Sequence, residues 1–120
     1  MIRRAETSHP LPPHMFLVLL TLNHGPKHGY GIKKEVAERS GGAVDLDAGG
    51  LYRLVARLEE QGWVEATDAP PAGEEEADAR RKYYALTEDG KTALAAEARR
   101  MAGLIQAPDV RDLLAGEAPA

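Results

Sequence analysis

The chain has 120 residues, 43% of them hydrophobic and 28% charged, which suits one folded domain around one modest core. It has no cysteine, which excludes disulfides and thiolate metal sites, and no apolar run near the roughly 20 residues of a bilayer span. The net charge of -4 argues, as a sum, against a nucleic-acid partner.

Residues 1–10 show no periodicity and are expected to form a flexible arm. Arg3 and Arg4 lead into no apolar stretch, so this is not the pattern of a signal peptide, and a cytoplasmic location is expected. Pro12 and Pro13 can open a helix. Met15 to Leu20 and Leu22 are then nearly all apolar, as in a short helix buried on most sides, and Asn23, His24, Gly25 and Pro26 stop it. A second helix is predicted over Gly29 to Arg39, with Tyr30, Ile32, Val36 and Ala37 inward and Lys33, Lys34, Glu35 and Glu38 facing water. Ser40, Gly41 and Gly42 end it.

Ala43 to Leu46 reads as a very short strand. Asp47 is a fitting N-cap for a third helix, in which Leu51, Leu54, Val55 and Leu58 recur at the spacing of one buried stripe. Tyr52, Arg53, Ala56 and Arg57 lie on its other side, and Gly62 ends it. Trp63 to Thr67 and Arg81 to Leu86 read as two strands of a hairpin, Tyr83 and Tyr84 favouring β structure. Strand alternation predicts Arg81 and Tyr83 on one face, Lys82 and Tyr84 on the other, with Arg81 outward. Between the strands lies a polar loop, expected to be mobile, in which Glu74, Glu75, Glu76 and Asp78 are followed directly by Arg80, Arg81 and Lys82. Charge is therefore segregated, and its distribution matters more than its sum.

Thr87 caps a last long helix, with Glu88 and Asp89 suited to the positive end of its dipole. Leu94, Ala98, Met101 and Ile105 are spaced 4, 3 and 4, a seam for a partner helix. One further turn or two is expected over Val110 to Leu114. The fold expected is mainly α with a small β-hairpin: a winged helix-turn-helix over residues 11–86, a C-terminal dimerisation helix over 87–107, and a short tail over 108–120.

Several segments also carry a family resemblance. His28-Gly29-Tyr30-Gly31-Ile32, Gly49-Gly50-Leu51-Tyr52, Leu58-Glu59-Glu60-Gln61-Gly62 and Arg81-Lys82-Tyr83-Tyr84-Ala85-Leu86-Thr87 resemble, in order and spacing, the PadR-like transcriptional regulators. The resemblance spans about residues 11–100 and implies a homodimeric winged helix repressor of the short-tailed subgroup, bound to double-stranded DNA at an inverted-repeat operator. It leaves open a small-molecule effector and implies no cofactor. Two positions depart from the family pattern. Ala48 and Gly50 stand where a proline and a hydroxyl residue are usual, which removes a hydroxyl contact but lets the helix N-terminus come closer to a phosphate.

The candidate DNA-binding residues are Gly49, Gly50, Tyr52, Arg53 and Arg57 on the third helix, Lys33 and Lys34 on the second, and Arg80, Arg81 and Lys82 in the wing. Arg53 is the candidate base reader and the wing cations are candidate phosphate contacts. Each has a plainer reading. Arg57 can pair with Glu60, the lysines can form a solvated face, and the wing cations can balance the acidic run. Tyr30 and Trp63 are expected in the core, and His28 is expected to position the turn. His24 and His28 are separated by Gly25 and Pro26, a poor frame for a metal. No nucleophile–base pair or phosphate-binding glycine loop is present, so no enzyme is expected. The rival functions are a winged helix that binds protein instead of DNA, suggested by the net acidity and by Gly50, and, more distantly, a metal- or drug-binding sensor with weak DNA affinity.

Overall fold

The computed structural model describes residues 9–68 and 82–116. The predicted N-terminal arm lies almost wholly outside them, as do the acidic loop, Arg80 and Arg81. Helix α1 spans Pro13–Leu22, with Val18, Leu19 and Leu22 buried among the other helices. The next element, β1 at Lys27–His28, was not legible in the sequence, because two residues are too few for an alternation.

Helix α2 follows at once over Gly29–Arg39, and the His28 imidazole caps it, Nδ1 accepting the Gly31 N–H at 3.1 Å. Ile32 and Val36 are fully buried, as expected. Tyr30 is not a core residue but is 68% exposed. It lies two residues from Ile32, about 200° round the helix, so burying one turns the other outward. Its ring stacks on that of His28 instead, with centroids 6.5 Å apart. The stretch around residue 44, expected as a strand, pairs with no strand. Its backbone is satisfied locally, the Val44 N–H donating to Ser40 Oγ at 2.9 Å.

Helix α3 spans Ala48–Glu60, with Leu51, Leu54, Val55 and Leu58 buried as the stripe predicts. It ends in two reversed hydrogen bonds, Gly62 N–H to Glu59 O and Trp63 N–H to Leu58 O, both 3.0 Å. This cap needs a left-handed residue, and Gly62 supplies it with φ +81°. Strands β2 (Val64–Thr67) and β3 (Tyr83–Leu86) form the hairpin, and β1 pairs along the other edge of β3 to give the order β1-β3-β2. Being central, β3 buries both Tyr83 and Tyr84, so its alternation does not separate a wet face from a dry one. Tyr84 joins the helical core, while Tyr83 meets the His28 ring edge-on at 5.8 Å.

Helix α4 runs over Glu88–Ile105 and α5 over Pro108–Gly116, a longer final helix than the sequence suggested. The described helices, in this order with the hairpin, make a winged helix with an added third strand and a C-terminal helical pair. None of the described helices is long and apolar enough to cross a membrane.

The start of α4 is fixed by a close junction with the end of α3. The Trp63 carbonyl accepts the Thr87 N–H at 3.0 Å, and the Thr87 hydroxyl donates to the Gly62 carbonyl at 2.6 Å while accepting the Gly90 N–H. A Cβ on Gly90 would collide with that same Trp63 carbonyl oxygen, which is backbone and cannot swing aside. Gly90→Ala is therefore expected to destabilise the fold by about 1–3 kcal/mol through overpacking, despite alanine's better helix propensity. Gly103→Ala, whose methyl would meet nothing within 4 Å, should instead be neutral or stabilising by up to about 1 kcal/mol. Urea unfolding of both variants checks the contrast in sign.

Candidate nucleic-acid interface

At about 100° per residue, the face of α3 opposite its buried stripe carries Gly49, Arg53, Ala56 and Glu60. All four are exposed. Gly49 and Ala56 are small enough to let that ridge approach another surface closely. Tyr52 flanks it on the sheet side and Arg57 on the α1 side.

Arg53 folds back over the first turn of its helix. Its Nη1 lies 3.2 Å from where a Gly49 Cβ would sit, and its Nη2 lies 3.8 Å from the equivalent point on Gly50. A side chain at residue 49 would push the guanidinium off this position. Neither Arg53 nor Arg57 forms an ion pair among the described residues, so the expected alternative of an Arg57–Glu60 pair does not form.

Tyr52 is half exposed, but its hydroxyl rests on the start of α2. A Cβ on Gly29 would stand only 2.8 Å from it. Burial pushes the Tyr84 phenol above its ordinary range, and the neighbouring Tyr52 and Glu59 add to the shift. Tyr52 thus braces α3 against α2 and offers only part of its ring to a ligand.

The first turn of α3 is not the open phosphate site that Gly50 suggested. The Asp47 carboxylate already accepts the Gly50 N–H at 2.6 Å, and a Cβ on Gly50 would stand 3.0 Å from the same oxygen. Glycine at residue 50 is accounted for by this tight cap, and an incoming phosphate would face a carboxylate.

On α2, Lys33 is held by Asp45 at 3.1 Å, whereas Lys34 is exposed and has no ion pair among the described residues. Glu35 takes both Lys27 and Arg39, at 3.5 and 3.0 Å. Lys82 is exposed just before β3. His28 Nδ1 is committed to Gly31, and the described residues hold no cluster of three or more His, Cys, Asp or Glu fit for a metal.

The predicted dimer seam is only partly available to a partner. Leu94 is 6% exposed and belongs to the chain's own core, because the first half of α4 packs on α1. Glu97 is buried beside it and bound to Arg100 at 2.9 Å. Ala98 is exposed, Met101 half-buried and Ile105 exposed. Leu104 on α4 and Leu113 and Leu114 on α5, which the spacing did not single out, are exposed as well. The signal was present as leucines at the hydrophobic spacing of a short helix, but the helix was read as a turn or two.

The Transcriptional regulator PadR-like family matches residues 18–96 of the chain. Among solved structures, a PadR family transcription regulator from hypervirulent Clostridium difficile is 26% identical with a TM-score of 0.62, over 78% of this chain and 95% of that one. RosR from H. salinarum is 24% identical with a TM-score of 0.64, over 92% of each chain. BpsR of Bordetella bronchiseptica, whose DNA binding is regulated by 6-hydroxynicotinic acid, is 18% identical with a TM-score of 0.56, over 94% and 80%. The last two establish a likeness of fold. No curated protein matches.

The Asp47 cap sets the helix that carries this surface, and its contribution can be measured. Asp47→Ala should lower stability by about 1 kcal/mol in chemical denaturation, and Asp47→Asn, which keeps an accepting oxygen, should restore most of it.

Proposed function

Because the chain belongs to the PadR-like family of transcriptional regulators, which are not enzymes, we propose that it is a homodimeric repressor reading an inverted-repeat operator through α3. The observation that carries this reading is the α3 ridge, where Arg53, with no ion pair among the described residues, stands beside Gly49 and Ala56. A helix entering the major groove needs small residues at the point of closest approach and a long donor beside them, and arginine is the commonest reader of guanine there. Arg57 and Lys34, with Lys82, Arg80 and Arg81 of the wing, are assigned to phosphates, where they add affinity without sequence information. Lys33 is a weaker candidate because contact with DNA would cost it Asp45. Residues 11–86 form the reading unit, and a chromosomal target implies action in the cytoplasm.

Dimerisation is assigned to the outer face of the C-terminal helices. Leu104, Ile105, Leu113 and Leu114 are each more than half exposed, and so many large apolar side chains together mark an interface. Met101 and Ala98 lie at its inner margin, while Leu94 stays within each subunit. A two-fold interface of this kind requires two half-sites related by inversion, about one helical turn apart. The second reading, a protein-binding winged helix, is favoured by the net charge of -4 and by Glu60 on the α3 ridge.

Light scattering of the full chain at micromolar concentration should give a dimer mass. Ile105→Asp and Met101→Asp should each shift it towards monomer, because a lone carboxylate would be buried in the interface. An unaltered dimer in both variants would place the interface elsewhere.

Fluorescence anisotropy with selected and scrambled duplexes over a salt series tests the DNA assignment. Arg53→Ala should cost about 1–3 kcal/mol on the selected duplex and much less on the scrambled one. Arg81→Ala should weaken both alike and reduce the slope of log affinity against log salt by about 1. If the wild-type chain binds no duplex even at low salt, the protein-binding reading replaces this one.

A further inference from the structure

On the α1 side of the recognition surface, α1 and α3 leave a groove between them, lined by His14, Leu46, Gly50, Arg53, Leu54 and Arg57. Arg53 and Arg57 bring two guanidinium groups to its lining, and Leu46 and Leu54 make part of that lining apolar. Arg53 and Arg57 come from successive turns of α3, and His14 faces them from the first turn of α1. No ion pair holds any of the three among the described residues. The Asp47 carboxylate caps the Gly50 N–H at the N-terminal end of α3, and Gly50 lies seven residues, or about 10 Å along the helix, from Arg57. Pro12, at the head of α1, offers no side-chain cap to the first-turn N–H groups beside His14.

We propose that this groove is a phosphate cleft for the DNA backbone, in which His14 and Arg57 grip a phosphate of the strand bordering the major groove while Arg53 reaches past it. The assignment rests on the DNA-binding reading and adds a contact from α1. An imidazole N–H and a guanidinium fork both donate to phosphate oxygens, and bonds between charged partners are shorter and stronger than neutral ones. Leu46 and Leu54 keep water from beneath the phosphate, which strengthens the attraction of the charges above them. The cleft also anchors register. A phosphate held between α1 and α3 fixes how far α3 is rotated in the groove, and so which base edge Arg53 meets.

The deciding variant is His14→Glu. A carboxylate in the first turn of α1 suits the positive end of the helix dipole, so the melting temperature should hold or rise. Affinity for duplex DNA should nonetheless fall about tenfold or more at low salt, on selected and scrambled duplexes alike, because an attraction becomes a repulsion at contact distance. His14→Arg, which puts a permanently charged donor there, should bind as tightly as wild type or tighter.

Three results would overturn the proposal. If His14→Glu binds like wild type while Arg53→Ala is weakened, the DNA reading stands and the cleft is not part of it. If wild type binds no duplex, both fall together. If inorganic phosphate displaces the duplex at concentrations where chloride of equal ionic strength does not, and His14→Glu abolishes that effect, the cleft is a free-anion site. Loss of affinity in His14→Glu with an intact melt, recovered in His14→Arg and indifferent to inorganic phosphate, supports the backbone assignment.

Discussion

The Trp63 carbonyl is the point on which the rest of the architecture turns. It accepts the Thr87 N–H and lies against the bare Cα of Gly90, while the preceding carbonyl, that of Gly62, takes the Thr87 hydroxyl. The last turn of α3, the two residues just before β2 and the first turn of α4 are therefore joined by one set of hydrogen bonds. Trp63 is buried, and leaving its carbonyl without a partner would cost more than the bond itself contributes, which holds this end of the junction in place. The consequence is mechanical. If a second subunit docks on α4 and α5, as proposed above, it is fixed relative to α3, and the distance between the two α3 helices follows from this junction.

A second constraint is electrostatic. A net charge of -4 gives no hint of an anionic partner, yet the charges are not free to average. Glu35 ties up Lys27 and Arg39, Asp45 holds Lys33, and Glu97 takes Arg100. Arg53, Arg57, Lys34 and Lys82 stay without such partners among the described residues. Two of these four lie on the outer surface of α3, next to small residues. What a macromolecule meets at close range is the unpaired charge, because pairs a few ångströms apart cancel within a Debye length.

The aromatic residues show how one motif can serve packing and function together. His28 caps α2, stacks on Tyr30 and meets Tyr83 edge-on. Gly29 clears the space that the Tyr52 hydroxyl occupies. Residues that look like a recognition motif in the sequence thus also hold α3 against the start of α2.

The sequence alone determined the elements whose signals are local. The buried stripe of α3, the Asp47 and Thr87 caps, the Gly62 stop and the two hairpin strands all depend on residues within a turn or two of one another. The candidates Arg53 and Arg57 were legible for the same reason, as the polar side of an amphipathic helix. Only the tertiary structure decided what depends on distant neighbours. Pairing with β3 made a strand of Lys27–His28, and its central place in the sheet buried both tyrosines. Contact with α1 drew Leu94 into the core and left the leucines of α5 outside. Asp45 reached Lys33 across 12 residues, and His14 came to face Arg53 and Arg57, about 40 positions further along the chain. Helical periodicity tells which residues share a face, but not which face the rest of the chain will cover.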